Sequence, residues 1–428
     1  MDRRQFLTTA AVGGAAALGA GYALADGPTP LPSSESSWAD IKRQFDIAPG
    51  IVQMSSFYLA SHPKPVREAI ERHRRGLDRE SHGYIEQNVG PLERAVREQA
   101  SAYLGVSADE LAFTDSTTMG LGLVYSGMKL KPGEEILTDT RDHIVTALSA
   151  GHAAERTGAK VRQAQLYANP SKVSVDEVVA NVRSNLRDTT RLLAVTWVHS
   201  GTGVKMPIAA IAEVVRAHNR GKPRERQTLL SVDGVHGLGI ENVSIPELGA
   251  DFFIAGTHKW LTGPRGTGLV WAKADAWPMV QATIPTFDPM WRPGPVEQMP
   301  LAAMNTPGGF HSFEHRWSVA QAFEFHHAIG KARIAERIHA LNSRAKAAMA
   351  KMPKVKVHTP LSPDLSAGII AFEVAGLTPE QVVHKLYERG IIASVTPGFY
   401  NPLLARVAPS MLTLEEDVDR TVAAIAAL

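Results

Sequence analysis

The sequence predicts an α/β protein: a large domain on a mainly parallel sheet with helices on both faces, then a smaller α+β domain. Three observations carry this. Between residues 111 and 255, short apolar runs of strand length alternate with amphipathic stretches of helix length, the pattern of crossover-linked parallel strands. After Pro300 the alternation gives way to one long helical stretch and then mixed short pieces. The chain has 428 residues, more than one core ordinarily holds, so two domains are expected, at 61–299 and 300–428.

Taken in order, the chain opens on an address. Arg3 and Arg4 precede a weakly apolar, Ala- and Gly-rich run over 10–24, and Ala23-Leu24-Ala25 offers a small-x-small cleavage site. Charged, apolar, small is the order of a secretory signal. Paired arginines with a mild apolar run point to the twin-arginine (Tat) route. Residues 1–25 are therefore expected to be a Tat signal read by the Tat translocase, and the protein to be periplasmic. An uncleaved N-terminal anchor and a chance basic start are the other readings, although the run is short and Gly-rich for a membrane span. Residues 26–60 read as linker and N-terminal arm, Pro/Ser-rich over 28–37. Helices are expected at 66–79 and 91–104, a strand at 111–114, then a Ser/Thr cluster opening a helix. Strands follow at 135–138, 160–165, 191–198, 229–233 and 252–255, with helices at 143–157, 173–186 and 208–219 between them. One helix is expected over 318–352, then strand, helix and strand to the end, with residues 51–60 packing against this last domain.

Composition excludes several classes. Hydrophobic residues make up 44%, enough to build cores. Lys+Arg number 45 against 43 Asp+Glu, a formal charge of +2, without the basic excess of a nucleic-acid binder. There is no cysteine, which excludes disulfides, zinc–thiolate sites, Fe–S clusters and cysteine nucleophiles. No metal site is expected.

Three polar features sit just after apolar strands, where an α/β sheet places its ligand site. They are Asp233 with His236, the run Thr257-His258-Lys259, and Ser116-Thr117-Thr118 at a helix start. A lysine near apolar walls loses its proton more readily and becomes a nucleophilic amine. An aspartate beside it suits a heteroaromatic nitrogen. Hydroxyls and N–H groups at a helix N-terminus suit a phosphate. Each feature alone has a plain reading, Asp233 and the Ser/Thr cluster as caps and His258-Lys259 as a common dipeptide. Together they are what pyridoxal 5'-phosphate requires.

At these residues the chain resembles a known family. Ser231-Val232-Asp233-Gly234-Val235-His236-Gly237, followed by Gly256-Thr257-His258-Lys259-Trp260-Leu261-Thr262-Gly263-Pro264-Arg265-Gly266-Thr267-Gly268, is similar to the signature of the pyridoxal-phosphate-dependent class V aminotransferases. That superfamily includes cysteine desulfurases, selenocysteine lyases and isopenicillin N epimerase-like proteins. The resemblance runs over essentially the whole mature chain and is strongest from Phe113 to Gly268. It implies the type I pyridoxal-phosphate-dependent transferase fold, with a seven-stranded sheet and a homodimer. It also implies Lys259 as the cofactor's covalent partner and Asp233 as partner of the pyridinium nitrogen. Thr117, Thr118, Thr257 and His258 match phosphate-binding positions. His143 matches the ring that stacks on the pyridine, with a surface helix cap as the other reading. Ser200 falls where desulfurases carry an asparagine near the ring hydroxyl, and His236 should lie near that ring. Arg406 matches the arginine that clamps a substrate carboxylate.

Departures narrow this. Without cysteine, a self-contained desulfurase is excluded. Many relatives carry Gly-Thr in the segment that reaches a neighbouring subunit's phosphate; here it reads Gly308-Gly309-Phe310-His311-Ser312-Phe313-Glu314-His315-Arg316-Trp317. Arg316 is thus a candidate for a phosphate or substrate-carboxylate contact, or for an ion pair with Glu314 or another acid. The Tat signal on an isopenicillin N epimerase-like chain resembles the periplasmic enzymes that tailor pyoverdine-type siderophores on a peptide-linked glutamate. Expected chemistry is transamination, or a related modification, of an amino-acid or peptide amine. A C–S β-lyase, an epimerase and a non-catalytic binding protein on the same fold are the alternatives.

Overall fold

The structure is a computed structural model that describes residues 30–428; the expected signal, residues 1–25, lies outside the described residues. Helix α1 (Trp38–Arg43) starts at a capping box, in which Ser37 and Asp40 each accept the other's backbone N–H. Strand β1 (Val52–Gln53) follows, then the helices α2 (Lys64–Arg79) and α3 (Ser81–Leu104). Helix α3 begins ten residues before the expected start and carries Pro91 in its interior. Its first turns bury Val89 against Phe313 and Trp317, with Tyr84, Ile85 and Leu92 packed around them. That apolar contact outweighs the hydrogen bond a mid-helix proline removes.

The large sheet is built from β2 (Leu111–Thr114), β3 (Glu135–Asp139), β4 (Lys160–Ala164), β5 (Thr190–Thr196), β6 (Leu229–Asp233), β7 (Phe252–Gly256) and β8 (Gly268–Ala272). Between them run α4 (Thr117–Gly127), α5 (Ile144–Thr157), α6 (Val175–Asn185) and α7 (Ile208–His218). The strand order is β2-β8-β7-β6-β5-β3-β4. Strands β3 to β7 pair in parallel, while β8 runs antiparallel to both β2 and β7. Every residue of β5, β6 and β7 is buried, as helices on both faces require. Strand β8 is the one the residue pattern alone did not single out. It returns beside β7 with no helix between them, so the alternation that marks the other strands is absent there.

Short helices α8 (Asp288–Trp291), α9 (Leu301–Met304) and α10 (Phe313–Trp317) lead to α11 (Val319–Ile329) and α12 (Lys331–Met349). The single helix expected over 318–352 is therefore two. Gly330 separates them at φ 101°, ψ 121°, a backbone region essentially reserved for glycine. Val319 to Ile338 lie in the apolar cluster of the large sheet, whereas Leu341 to Met349 lie in that of the small one. Strands β9 (Val355–Val357) and β10 (Ile370–Val374), helix α13 (Pro379–Tyr387), strands β11 (Ile391–Ile392), β12 (Ser394–Val395) and β13 (Ala405–Val407), and helix α14 (Glu415–Ala426) complete the chain. The small sheet is antiparallel, in the order β12-β13-β10-β9. Strand β1 pairs in parallel with β11, Val52 opposite Ile391, and Val52 and Met54 join this domain's core. No helix among the described residues is long and apolar enough to cross a membrane.

Candidate active site

The carboxyl ends of β5, β6 and β7 meet the N-terminus of α4 around one cavity. Thr117, Thr118, His143, Ser200, Asp233, His236, His258 and Lys259 all line it. Eight of the positions read from the sequence are thereby brought together from five separate stretches of chain.

One end is a cup of donors. Ser116 caps α4, its Oγ accepting the Met119 N–H at 3.1 Å, so the N–H groups of Thr117 and Thr118 stay free of intrahelical acceptors. Thr117 Oγ1 accepts the Gly256 N–H at 2.8 Å and keeps its own proton to donate. Gly256 permits this approach: a Cβ there would stand 2.7 Å from His258 Cε1 and 3.3 Å from Thr117 Oγ1. His258 Nδ1 is enclosed with no partner, and burial lowers its pKa below the ordinary histidine value.

The other end holds the amine. Lys259 follows β7 by three residues, and burial pulls its pKa down to about 8, with Asp233 resisting and Arg406 adding to the fall. Its Nζ lies 3.4 Å from His236 Nε2. Trp260 Nε1–H donates to His236 Nδ1 at 3.2 Å. Burial, Lys259 and Arg406 hold His236 well below its ordinary pKa, hence neutral. Its one proton then sits on Nε2, and that N–H needs a lone pair opposite it. The amine offers one only when uncharged.

Asp233 ends β6, 3% exposed, with Oδ1 accepting the Val235 N–H at 3.1 Å. Burial raises its pKa to about 6. His143 has two places in the structure. It caps α5, Nδ1 accepting the Val145 N–H at 3.4 Å, and it also lines the cavity. Phe399 packs edge-on against it at 4.9 Å. Arg406, on β13, is 2% exposed. Its Nη1 donates to Ser200 O and Oγ at 2.9 and 2.7 Å and its Nη2 to Val395 O at 2.8 Å, while Nε has no partner. Ser200 therefore joins the cavity to the small sheet.

Across residues 66–409 the chain matches Aminotransferase class-V. The chain belongs to that family. The isopenicillin N epimerase of Amycolatopsis lactamdurans is 25% identical to this class-V protein over 405 residues, 91% of this chain and 98% of the relative. A probable cysteine desulfurase of Vibrio cholerae is 24% identical over 401 residues, 88% of this chain and 93% of the relative. Among solved structures, a C-DES mutant with glycine covalently linked to its PLP cofactor superposes with a TM-score of 0.80 at 21% identity, covering 90% of this chain and 98% of that one. That likeness shows the type I fold.

Class-V enzymes depend on pyridoxal 5'-phosphate, and the residues of this class-V chain fit it. The cup on α4 offers N–H groups, a hydroxyl proton and the partnerless His258 Nδ1 to a phosphate. Asp233 offers a buried carboxylate to a ring nitrogen, and Lys259 an amine with a lowered pKa.

Three expected residues stand apart. Thr257 is turned away: its hydroxyl bonds that of Thr267, and it does not line the cavity. The packing that seats β7 against the 262–267 turn uses the hydroxyl that the phosphate was expected to take. Arg316 also lies outside the cavity; it faces Glu93 at 3.7 Å and sits over the Phe113 ring. Its partner is thus an acid on α3 rather than Glu314. Arg406 is not among the residues that line the cavity, but it bonds Ser200, which does. Missed from the sequence were Trp260, which fixes the His236 proton, and Tyr400, whose ring packs on Gly201 and whose hydroxyl is enclosed without a partner. Trp260 directly follows the lysine, which is a signal; Tyr400 is brought in by the small domain and has none.

Proposed function

We propose that this chain is a Tat-exported periplasmic enzyme that binds pyridoxal 5'-phosphate and transaminates, or similarly modifies, an amino-acid or peptide-linked amine. The observation that carries the enzyme reading is Lys259, whose amine is driven toward its neutral form by burial and by the proton Trp260 places on His236 Nε2. Bound in the cavity, the cofactor supplies an aldehyde carbon for amines and a ring that withdraws electrons. Thr117, Thr118 and His258 would hold its phosphate and Asp233 its ring nitrogen, and His143 would cover its face. Lys259 Nζ would be the cofactor's covalent partner and, when free and uncharged, the base that would take the proton from the substrate's α-carbon. The Arg406 Nε, free of partners, serves a substrate carboxylate, with Ser200 and Val395 holding the rest of the guanidinium in place.

The test is the visible spectrum of the purified protein with added amines. A cofactor band that one amine abolishes and an oxo acid restores supports transamination. Loss of the band with release of an oxo acid and sulfide moves the reading to a C–S lyase. Inversion at the α-carbon without loss of the band moves it to an epimerase, the activity named for the Amycolatopsis relative. No band in the presence of pyridoxal 5'-phosphate leaves a binding protein. A peptide siderophore precursor bearing glutamate belongs in the substrate panel.

Export rests on Arg3, Arg4 and the run over 10–24; replacing both arginines with lysine should hold the protein in the cytoplasm on fractionation. A homodimer is supported by apolar surface at Met290 and Phe310, 71% and 75% exposed, with Phe287 packed edge-on against Phe310 at 5.8 Å. Met290→Asp with Phe310→Asp should give a monomer in sedimentation.

A further inference from the structure

Behind the wall made by Asp233 and His143 lies a second set of buried ionisable groups that the chemistry above leaves unused. His199 sits on the loop after β5, one residue before Ser200, and its side chain has no exposed surface. Its Nε2 stands 3.7 Å from Asp139 Oδ2, at the end of β3, and 3.6 Å from Asp142 Oδ1. Both Nε2 and Asp139 Oδ2 are enclosed without a hydrogen-bond partner. On the other edge, Nδ1 lies 2.7 Å from the Tyr167 hydroxyl, which lies 3.0 Å from Thr202 Oγ1. The Tyr167 ring stacks on the imidazole, and the Arg141 guanidinium sits over the tyrosine. Asp142 is fixed by two backbone donors, Thr196 N–H and Asp139 N–H, at 2.8 Å each. Thr196 pairs with Asp233 across β5 and β6, and Asp142 precedes His143 in the chain.

Buried carboxylates need a compensating charge. Burial keeps the Tyr167 phenol protonated, so it supplies none. Arg141 is separated from the two acids by the tyrosine ring and donates to Ala168 O. Lys259 lies in the cavity, on the far side of Asp233. His199 is the side chain that faces both Asp139 and Asp142. We propose that His199 is a positioning residue, set between Asp139 and Asp142, and that the charge balance of this buried cluster sets how readily the site around Asp233 takes up and releases protons. The inference rests on the reading of Asp233 and Lys259 as the cofactor's partners. His199 acts on Asp233 so as to keep it ionised, while Asp142 acts in the opposite sense.

The experiment is a pH titration of the visible band of the cofactor-loaded protein, with no substrate. Removing a nearby positive charge favours the protonated form, so His199→Gln should raise the midpoint by roughly one pH unit. Asp139→Asn removes a negative charge and should lower it by a similar amount. The double variant should return close to the wild-type midpoint. Shifts of opposite sign are what a loss of packing does not produce. Midpoints that coincide with wild type, or that move in the same direction, overturn the proposal. If His199→Gln does not accumulate, Asp139→Asn decides by its sign alone, a midpoint at or above wild type being against it. A wild-type protein that shows no band is a failure of the cofactor reading itself and is seen before any variant is made.

Discussion

At the scale of single residues, burial and the charges of Asp233 and Arg406 set the amine's pKa, and a neighbour's proton acts beside them. Trp260 donates to His236 Nδ1, which leaves Nε2–H directed at Lys259. In Trp260→Phe the imidazole is free to move its proton to Nδ1 and offer Nε2 as an acceptor to a charged lysine. The charged form then gains a hydrogen bond worth about 1 kcal/mol, and the Lys259 pKa should rise from about 8 by roughly half to one pH unit. Stopped-flow loading of the apo-protein with pyridoxal 5'-phosphate should show it, as a rate that climbs with pH through a later midpoint than in wild type. Thr117→Val removes the acceptor for the Gly256 N–H and a donor from the phosphate cup. Cofactor affinity should fall at least tenfold in a spectral titration, because hydrogen bonds to charged groups exceed neutral ones. Lys259, Asp233 and the α4 hydroxyls were legible in the sequence because each follows a strand or opens a helix, and those positions converge by topology. Thr257 was misread because the same placement serves packing equally well, and only the Thr267 hydroxyl opposite it decides. Arg316 was legible as a cation but not by partner, since Glu93 lies on a helix more than two hundred residues earlier.

Elements follow the same logic. The parallel strands β5, β6 and β7 announce themselves because burial on both faces demands continuous apolar runs. Strand β8 lacked its flanking helix, and α3 hid its first turns behind Pro91 and a polar run over 81–88. The break between α11 and α12 was visible as Gly330, yet a lone glycine inside a helical pattern is usually tolerated; φ 101° is what makes it obligatory. Gly330→Ala should cost roughly 1–3 kcal/mol of backbone strain. There is room for the methyl, the nearest atom being Arg333 Cβ at 3.8 Å, so strain rather than a clash is what the measurement reads. The urea midpoint should fall with an unchanged slope, and the cofactor band should persist.

For the whole molecule, the histidines set the acid limit. Burial takes His62, His73 and His143 down to a pKa of about 4. The folded chain keeps them neutral between pH 6.5 and 4, whereas the unfolded chain protonates them there. Their contribution to stability is present above pH 6.5 and is lost as the pH falls through 4. Thermal melts should therefore show a midpoint that drops steadily across that window. His73→Gln should flatten part of the fall, although it also gives up the 3.0 Å contact with the Tyr84 hydroxyl.

The pairing of β1 with β11 brings together residues made at opposite ends of synthesis, Val52 and Ile391. A chain leaving the ribosome holds the first of these strands for tens of seconds before its partner exists. Until then the core around Val52 and Met54 stays open. Completion of the last domain is thus recorded near the front of the molecule: β1 is paired only when the carboxyl-terminal part has been made and folded.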